Sequence, residues 1–435
     1  MAVFLNSVHA AATQVLAMST RWKRNHITIG STEDYYVDST CIGEGSFGAV
    51  FRARHRATGR ILAIKHLTST DKIANAAELL QEARFLQDCS GNPYVVGFEG
   101  LARDPRTGDL CFVMEYVEAP SLDDFLRDTR RHGPRLPEPT VRAFMWKLLN
   151  GAKMMHGRHV VHRDIKPANI LAGDRVLKMC DLGLAISMTD PPPYDQVGTL
   201  TYMAPEMLLQ KKDYDALVDT WSLGCVMAEL VTGEALFDDG EDDEDDDDGS
   251  LSQLCSIFSV LDVPDETAWP EFKSLPLAGE ALSLLPAMVH PQHSRLREMF
   301  PEETLSADGF KVLEGLLTCN PNKRLTAAAA LKLTWFAALR PADAAAAKIN
   351  ALALPTKKPQ KIKIIPPVIP EKKLPRIKII PFLQAIPAEK QQLTIRLKAL
   401  FSGCHVAMFW LHPGCILVLF LLVKINVMVT RVGCL

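Results

Sequence analysis

The sequence predicts an α+β protein of two lobes, a small β-rich lobe with one helix followed by a larger, mainly helical lobe. Three observations predict it. Residues 35 to 67, "YYVDSTCIGEGSFGAVFRARHRATGRILAIKHL", are short β-type segments punctuated by glycine, and "ATGR" is a hairpin turn. From Asp71 to Asp88, "DKIANAAELLQEARFLQD" places apolar residues at helical spacing with Asp71 available as a cap, and strand-like runs follow at 95–101 and 110–117. After Ala119 the texture changes to helical periodicity in "SLDDFLRDTRR", "EPTVRAFMWKLLNGAKMMHGRH", "DALVDTWSLGCVMAELVTG" and "GFKVLEGLLTCN", ending near Trp335 and Phe336.

Composition and charge bound the class. At 435 residues and 48% hydrophobic the chain can bury a large core, and its length allows two or three units. The net charge of −3 conceals an asymmetry: residues 348–398 hold twelve Lys/Arg against two Glu, so they carry +10 and everything else −13. The ten cysteines include no C-x-x-C pair, which predicts a reducing, intracellular setting, cytoplasm or nucleus, and no zinc. Near the N-terminus the positive charge comes late, at Arg21, Lys23 and Arg24, unlike a secretory signal, and residues 1–35 are expected to be an extension preceding the first lobe.

Chemistry-bearing motifs occur in one order. "IGEGSFGAV" spaces Gly43, Gly45 and Gly48 as G-x-G-x-x-G-x-V, a weak signal alone because dinucleotide-binding folds use the same glycines. Here β-type residues and a turn follow rather than a helix, so the glycines belong to a hairpin whose backbone N–H groups can approach phosphates. Lys65 sits in the apolar strand "LAIKHL", where an ammonium needs anionic partners, and the following helix offers Glu82 and, a turn earlier, Glu78. "HRDIKPANI" separates Asp164 from Asn169 as in H-R-D-x-x-x-x-N, and twelve residues later "CDLGLA" supplies Asp181, with Leu182 where D-F-G has Phe. "MAPE" closes the segment; Glu206 is expected to pair with Arg324 of "NPNKRLT", and Asp219 of "DTWSLG" to bond the backbone of the "HRD" loop.

With these motifs in order, residues 36 to 336 resemble a eukaryotic protein kinase. "SLGCVMAELVTGEALF", "QLCSIFSVLDVPDETAWPEFKSLPL" and "LLTCNPNKRLTAAAALKLTWF" are similar to cyclin-dependent kinases, most closely the divergent plant type, and "HRDIKPAN" is similar to serine/threonine rather than tyrosine kinases. The resemblance implies the bilobal protein kinase fold, ATP and Mg²⁺ as cofactors, and a protein Ser/Thr hydroxyl as acceptor of the γ-phosphoryl group. It implies Asp164 and Lys166 as catalytic residues and Asn169 and Asp181 as metal ligands. The nucleotide site it implies is Ile42, Gly43, Glu44, Gly45, Ser46, Phe47, Gly48 and Val50 with Lys65 and Glu82.

Several positions depart from that pattern. No PSTAIRE-like helix sequence precedes Glu82, which counts against cyclin as a partner. Gly198 and Met203 stand where cyclin-dependent kinases have Val and Arg, which counts against a preference for proline after the target residue. Tyr194 occupies the position of the usual activating threonine, five residues before Thr199, and the neighbouring Asp195 carboxylate is the expected fixed partner of Arg163. A scaffold that keeps the fold without activity, a pseudokinase, is the alternative function, disfavoured because Lys65, Asp164, Asn169 and Asp181 are all intact. No nucleic-acid partner is predicted.

The domain organisation is then 36–117 for the small lobe and 118–340 for the large one, the latter carrying "DDGEDDEDDDD" at 238–248, ten acids in eleven residues, as a solvated loop. Residues 341–398 are a basic, Pro-rich linker in which "KIKIIP" recurs as "RIKIIP". In the tail, 399–435, residues 399–423 contain no Asp, Glu, Lys or Arg, and 406–423 approach the length of a membrane span despite His412 and Pro413. A C-terminal anchor, and with it a membrane-tethered adaptor role, is therefore an expectation for this segment.

Overall fold

The glycine-punctuated segments pair into one sheet. The computed structural model describes residues 29–45, 48–66, 72–132, 135–173, 176–237, 249–288, 294–337, 339, 406–410 and 416–420. Strands β1 (Ile29–Ser31), β2 (Tyr35–Gly45), β3 (Gly48–His55), β4 (Ile61–His66), β5 (Phe98–Arg103) and β6 (Leu110–Glu115) form a six-stranded sheet in the order β1-β5-β6-β4-β3-β2. All neighbours are antiparallel except β1 and β5, which run parallel with Ile29 opposite Leu101. The "ATGR" turn closes β3 onto β4 through His55 N–H to the Arg60 carbonyl at 2.9 Å, with Gly59 at φ 70°. β1 lies inside the segment expected to be an extension. Three residues are too short for period-2 alternation to show, and what holds them is backbone pairing with β5.

The expected first helix is α1 (Lys72–Asp88), on which Leu79, Glu82, Ala83, Phe85 and Leu86 are buried. That spacing of three and four is one face of a helix turned to the sheet. Asp71, the expected cap, lies outside the described residues.

In the large lobe, α2 (Leu122–His132) and α3 (Glu138–His156) are followed by short strands β7 (Val160–Val161), β8 (Ile170–Ala172), β9 (Leu177–Met179) and β10 (Ile186–Ser187). Next come α4 (Pro205–Leu208), α5 (Leu217–Thr232), α6 (Ser250–Leu261), α7 (Ala278–Met288), α8 (Leu296–Met299), α9 (Ala307–Leu316), α10 (Ala327–Ala330) and α11 (Thr334–Ala337). Every residue of α5 from Val218 to Val231 is buried, the mark of a helix that runs through a core instead of over it. Gly233, at φ 89°, ends it in the left-handed conformation. Trp335 and Phe336 close the core where the helical periodicity ends. The acidic run at 238–248 and the basic linker lie outside the described residues.

Residues 357–435 form a second unit. Its described part is a pair of antiparallel strands, Val406–Trp410 against Ile416–Phe420, with Val406 opposite Phe420. This is the stretch expected to span a membrane; among the described residues no helix is long and apolar enough to do so.

One ion pair ties the large lobe together as expected. Arg324 Nη1 and Nη2 donate to Glu206 Oε1 and Oε2, both at 2.7 Å, and the guanidinium also donates to the carbonyls of Thr318, Leu217 and Cys319. Both side chains are fully buried. A bidentate pair with its remaining donors used is stable in place, but removing one partner strands the other's charge. Arg324→Met is therefore expected to cost about 3–5 kcal/mol of stability, measurable as a lowered denaturation midpoint. An unchanged midpoint contradicts a structural role for the pair.

Candidate active site

The upper half of the site is built on β4 and α1. β4 places Lys65 between Val50 on β3 and Phe112 on β6. The side chain is only 5% exposed. Its Nζ donates to Glu82 Oε1 and Oε2 at 3.1 and 3.0 Å and to Asp181 Oδ1 at 2.9 Å. Burial by itself lowers an ammonium pKa, but the two carboxylates outweigh it and hold Lys65 above the ordinary lysine value. Burial likewise works to raise Asp181, and the Lys65 charge prevails and keeps it below the usual carboxylate range. Glu82 is the partner the sequence indicated, not Glu78.

The glycine hairpin lies on the same sheet. Gly43 is paired with Val50, Glu44 with Ala49 and Gly45 with Gly48, so the turn of the motif falls at Ser46 and Phe47, which lie outside the described residues. A Cβ on Gly43 would meet nothing closer than Val50 Cβ at 3.9 Å. Nothing in the described protein demands a glycine there, which leaves close approach of a ligand as the physical reason for one. Ile42 is exposed and Val50 half-buried at the margin of this hairpin.

The lower half is the loop after β7. Asp164 accepts hydrogen bonds from Asn169 Nδ2 at 2.8 Å on Oδ2 and from Thr199 Oγ1 at 2.8 Å on Oδ1. Lys166 Nζ lies 3.1 Å from Asp164 Oδ2 and donates to Thr199 Oγ1 at 2.6 Å. Asn169 Nδ2 also donates to the Asp164 carbonyl, so its carboxamide oxygen is the atom left over. Three side chains from two loops thus converge on one carboxylate. Thr199's place in this cluster escaped the sequence motif, because only tertiary folding brings residue 199 back to residue 164.

The loop owes its shape to Asp219. This carboxylate, in the first turn of α5, accepts His162 N–H on Oδ2 and Arg163 N–H on Oδ1, each at 2.9 Å, and Oδ2 also faces His156 Nε2 at 2.8 Å. Burial works to raise its pKa, and the hydrogen bonds and histidines prevail and hold it below the usual carboxylate range. Arg163 and Asp181 adopt φ of 67° and 64°, left-handed values uncommon for non-glycine residues. Leu182, in the place of Phe, is fully buried and keeps the plug apolar. Burial pushes the neighbouring Cys180 thiol up to about 12, so it is a packed group and not a thiolate.

One expectation is corrected. Among the described residues Arg163 forms no ion pair with the Asp195 carboxylate. Its Nη1 instead donates to the Asp195 main-chain carbonyl at 3.3 Å and to Tyr214 Oη at 2.7 Å, and its Nε to the Leu184 carbonyl at 2.6 Å. The Asp195 side chain is exposed, where solvation competes well with an ion pair. Met203, where an arginine was the comparison, is 5% exposed and packs in the core.

A two-lobed fold with a lysine held between a helix carboxylate and a loop carboxylate, facing an aspartate clamped by Lys166, Asn169 and Thr199, defines a phosphotransferase of the kinase type. Comparison agrees: the protein kinase domain matches residues 36–336, and the chain belongs to the protein kinase family. Over 302 residues, 68% of this chain and 88% of the relative, it is 45% identical to the protein named as cyclin-dependent kinase F-2 of Oryza sativa subsp. japonica. It is 35% identical to cyclin-dependent kinase B2-1 of the same organism over 70% of this chain and 90% of that one. To cyclin-dependent kinase B2-2 of Arabidopsis thaliana it is 34% identical over 68% of this chain and 90% of the other. It is a serine/threonine protein kinase resembling the cyclin-dependent kinases.

Gly198 carries a sharp constraint. It sits at φ 118°, and a Cβ there would lie 2.5 Å from the Arg163 carbonyl oxygen. Gly198→Ala must push the activation segment off the catalytic loop and carry Thr199 with it. The variant is expected to lose about tenfold or more in turnover, since misplacing catalytic groups by an ångström costs that much, while its far-UV circular dichroism stays unchanged. Wild-type turnover in this variant contradicts the close packing.

Proposed function

We propose that ATP with Mg²⁺ occupies the cleft between the glycine hairpin and the Asp164 loop, and that Asp164 directs a protein Ser or Thr hydroxyl onto the γ-phosphorus. The observation that carries this is the separation of tasks in the side chains. Lys65, Glu82 and Asp181 form one charged cluster, and Asp164, Lys166, Asn169 and Thr199 form another.

The donor set fits the cofactor. Lys65 is one cation against two carboxylates, so its cluster keeps a net negative charge suited to a divalent ion. Asp181 and the Asn169 carboxamide oxygen are hard oxygen donors of the kind Mg²⁺ takes. Among the described residues no group of three or more His, Cys, Asp or Glu could hold a metal, so phosphate oxygens must complete the coordination. Bound there, Mg-ATP supplies the transferable phosphoryl group and the ADP leaving group. Lys65 would hold an ammonium toward the phosphates, the backbone N–H groups of Gly43, Glu44, Gly45 and Gly48 would be available to them, and Ile42 and Val50 would give apolar cover for the base. Asp164 accepts the hydroxyl proton as the new O–P bond forms, and Lys166 offsets the negative charge on the transferring group. Thr199 keeps both in register.

The absence of a PSTAIRE-like sequence before Glu82 does not leave that glutamate out of place: Lys65–Glu82 is formed in the chain alone. The scaffold alternative is disfavoured because Lys65, Asp164, Asn169 and Asp181 are all present.

Phosphorylation of a generic basic protein by wild type and by Lys65→Met, Asp164→Asn and Asp181→Asn tests the assignment. Each variant is expected to lose about two orders of magnitude or more in turnover with melting temperature little changed. A fully active Asp181→Asn enzyme refutes the metal role. Independently, saturating Mg-ATP is expected to raise the melting temperature of the wild type through mass action, by the equivalent of about 2.7 kcal/mol at a hundredfold excess over Kd. No rise at saturating nucleotide overturns the nucleotide site.

A further inference from the structure

The contacts of Arg163 assign a task to Tyr214, a residue that no motif marks. The Arg163 guanidinium meets three neutral oxygens: the Leu184 carbonyl, the Asp195 carbonyl and the Tyr214 phenol. Tyr214, 3% exposed, lies in the chain just before α5. Its hydroxyl accepts from Arg163 Nη1 at 2.7 Å and donates to the Asp195 carbonyl at 2.6 Å. Burial raises its pKa and Arg163 only partly offsets this, so the phenol keeps the proton it donates. One atom thus joins the catalytic loop, the activation segment and the entry to α5.

Neighbouring contacts hold the same stretch. The Tyr194 N–H donates to the Lys212 carbonyl at 2.8 Å, and the Tyr194 and Tyr214 rings lie 5.3 Å apart. Gln196 Nε2 donates to Ser250 Oγ at 2.7 Å. Gly198 then passes over the Arg163 carbonyl, and Thr199 reaches Asp164 and Lys166. Thr199 is the fourth residue after Asp195, and a chain reaches at most about 3.5 Å per residue, so anchoring the Asp195 carbonyl restricts where Thr199 can go.

We propose that Tyr214 is a positioning residue for phosphoryl transfer, its hydroxyl linking Arg163 to the Asp195 carbonyl so that Thr199 stays on Asp164 and Lys166 without a phosphate on the activation segment. This rests on the kinase assignment but concerns only how the segment is held. A phosphate would give Arg163 an anionic partner. Here the guanidinium is already engaged through charge-assisted bonds to neutral oxygens. Tyrosine is required for this task because phenylalanine keeps the ring and loses both hydrogen bonds of the hydroxyl.

The test uses the full-length protein, Mg-ATP and a generic basic protein substrate. Tyr214→Phe is expected to lower kcat about tenfold and raise the protein-substrate KM several-fold, with the KM for ATP and the melting shift on adding Mg-ATP both unchanged. Adding Tyr214→Phe to Arg163→Met is expected to cost less than a further twofold, because the hydroxyl acts through the arginine. Wild type stripped of phosphate by a phosphatase is expected to keep more than half its activity. Wild-type kinetics in Tyr214→Phe overturn the proposal, as does a parallel loss of ATP binding, which marks a merely structural role. Additive losses in the double variant, or abolition of activity by phosphatase, overturn it equally, and the phosphatase arm stands even where a variant fails to fold.

Discussion

The site hangs from one buried carboxylate. Asp219 sits in a helix that is itself the interior of the large lobe, and it accepts the two consecutive backbone N–H groups of His162 and Arg163. Those donors belong to a loop whose arginine takes a left-handed φ, a conformation that costs free energy and persists only where surrounding contacts dictate it. Burying a carboxylate is costly as well, and three hydrogen bonds offset that cost. Each unfavourable feature is thereby stabilised by the other, and Asp164, one residue on, inherits a fixed direction. Its carboxylate is then held by Lys166, Asn169 and Thr199, and Asn169 also bonds the Asp164 carbonyl.

The upper half depends on a different kind of bond. Lys65, Glu82 and Asp181 come from the sheet, from helix α1 and from the loop after β9, and they meet at contacts of 2.9 to 3.1 Å. Desolvation penalises each charge separately, so the cluster persists only while all three are present. Sheet, helix and loop are consequently coupled: displacement of α1 would take from Lys65 one of the two carboxylates it bonds. The hydrogen bonds of Asp164 involve none of these three groups. The two clusters are therefore separable in the protein, and substitutions in one need not disturb the geometry of the other.

Much of this was legible before any coordinates. The spacing of glycines, Lys65, Asp164, Asn169 and Asp181 carries chemistry with few alternatives, and Glu82, Glu206, Arg324 and Asp219 took the partners expected of them. The helices were legible where one face is apolar, as in α1 and α3. What escaped is what pattern does not encode. β1 is three residues long, and its pairing to β5 is a backbone event indifferent to side-chain type. Thr199 and Tyr214 act through contacts 35 and 51 residues away in sequence, to Asp164 and Arg163. The Asp195 expectation failed for a more instructive reason. A search for a carboxylate beside an arginine presumes that charge seeks charge, whereas a main-chain carbonyl at the same residue is also a strong acceptor and needs no side-chain ordering.

That substitution of acceptor changes the physics of the segment. An exposed ion pair is screened by salt and must freeze two flexible side chains. The Arg163, Tyr214 and Asp195 carbonyl arrangement instead uses a buried phenol with few rotamers and a carbonyl already fixed in the chain, so it forfeits less entropy. Lys65 and Arg163 thus solve opposite problems. The lysine needs anions because its strand gives it no solvent, whereas the arginine's flat, delocalised charge can be spread over neutral oxygens. The two cations of the site are thus held by different means, the lysine by two carboxylates and the arginine by two main-chain carbonyls and a phenol.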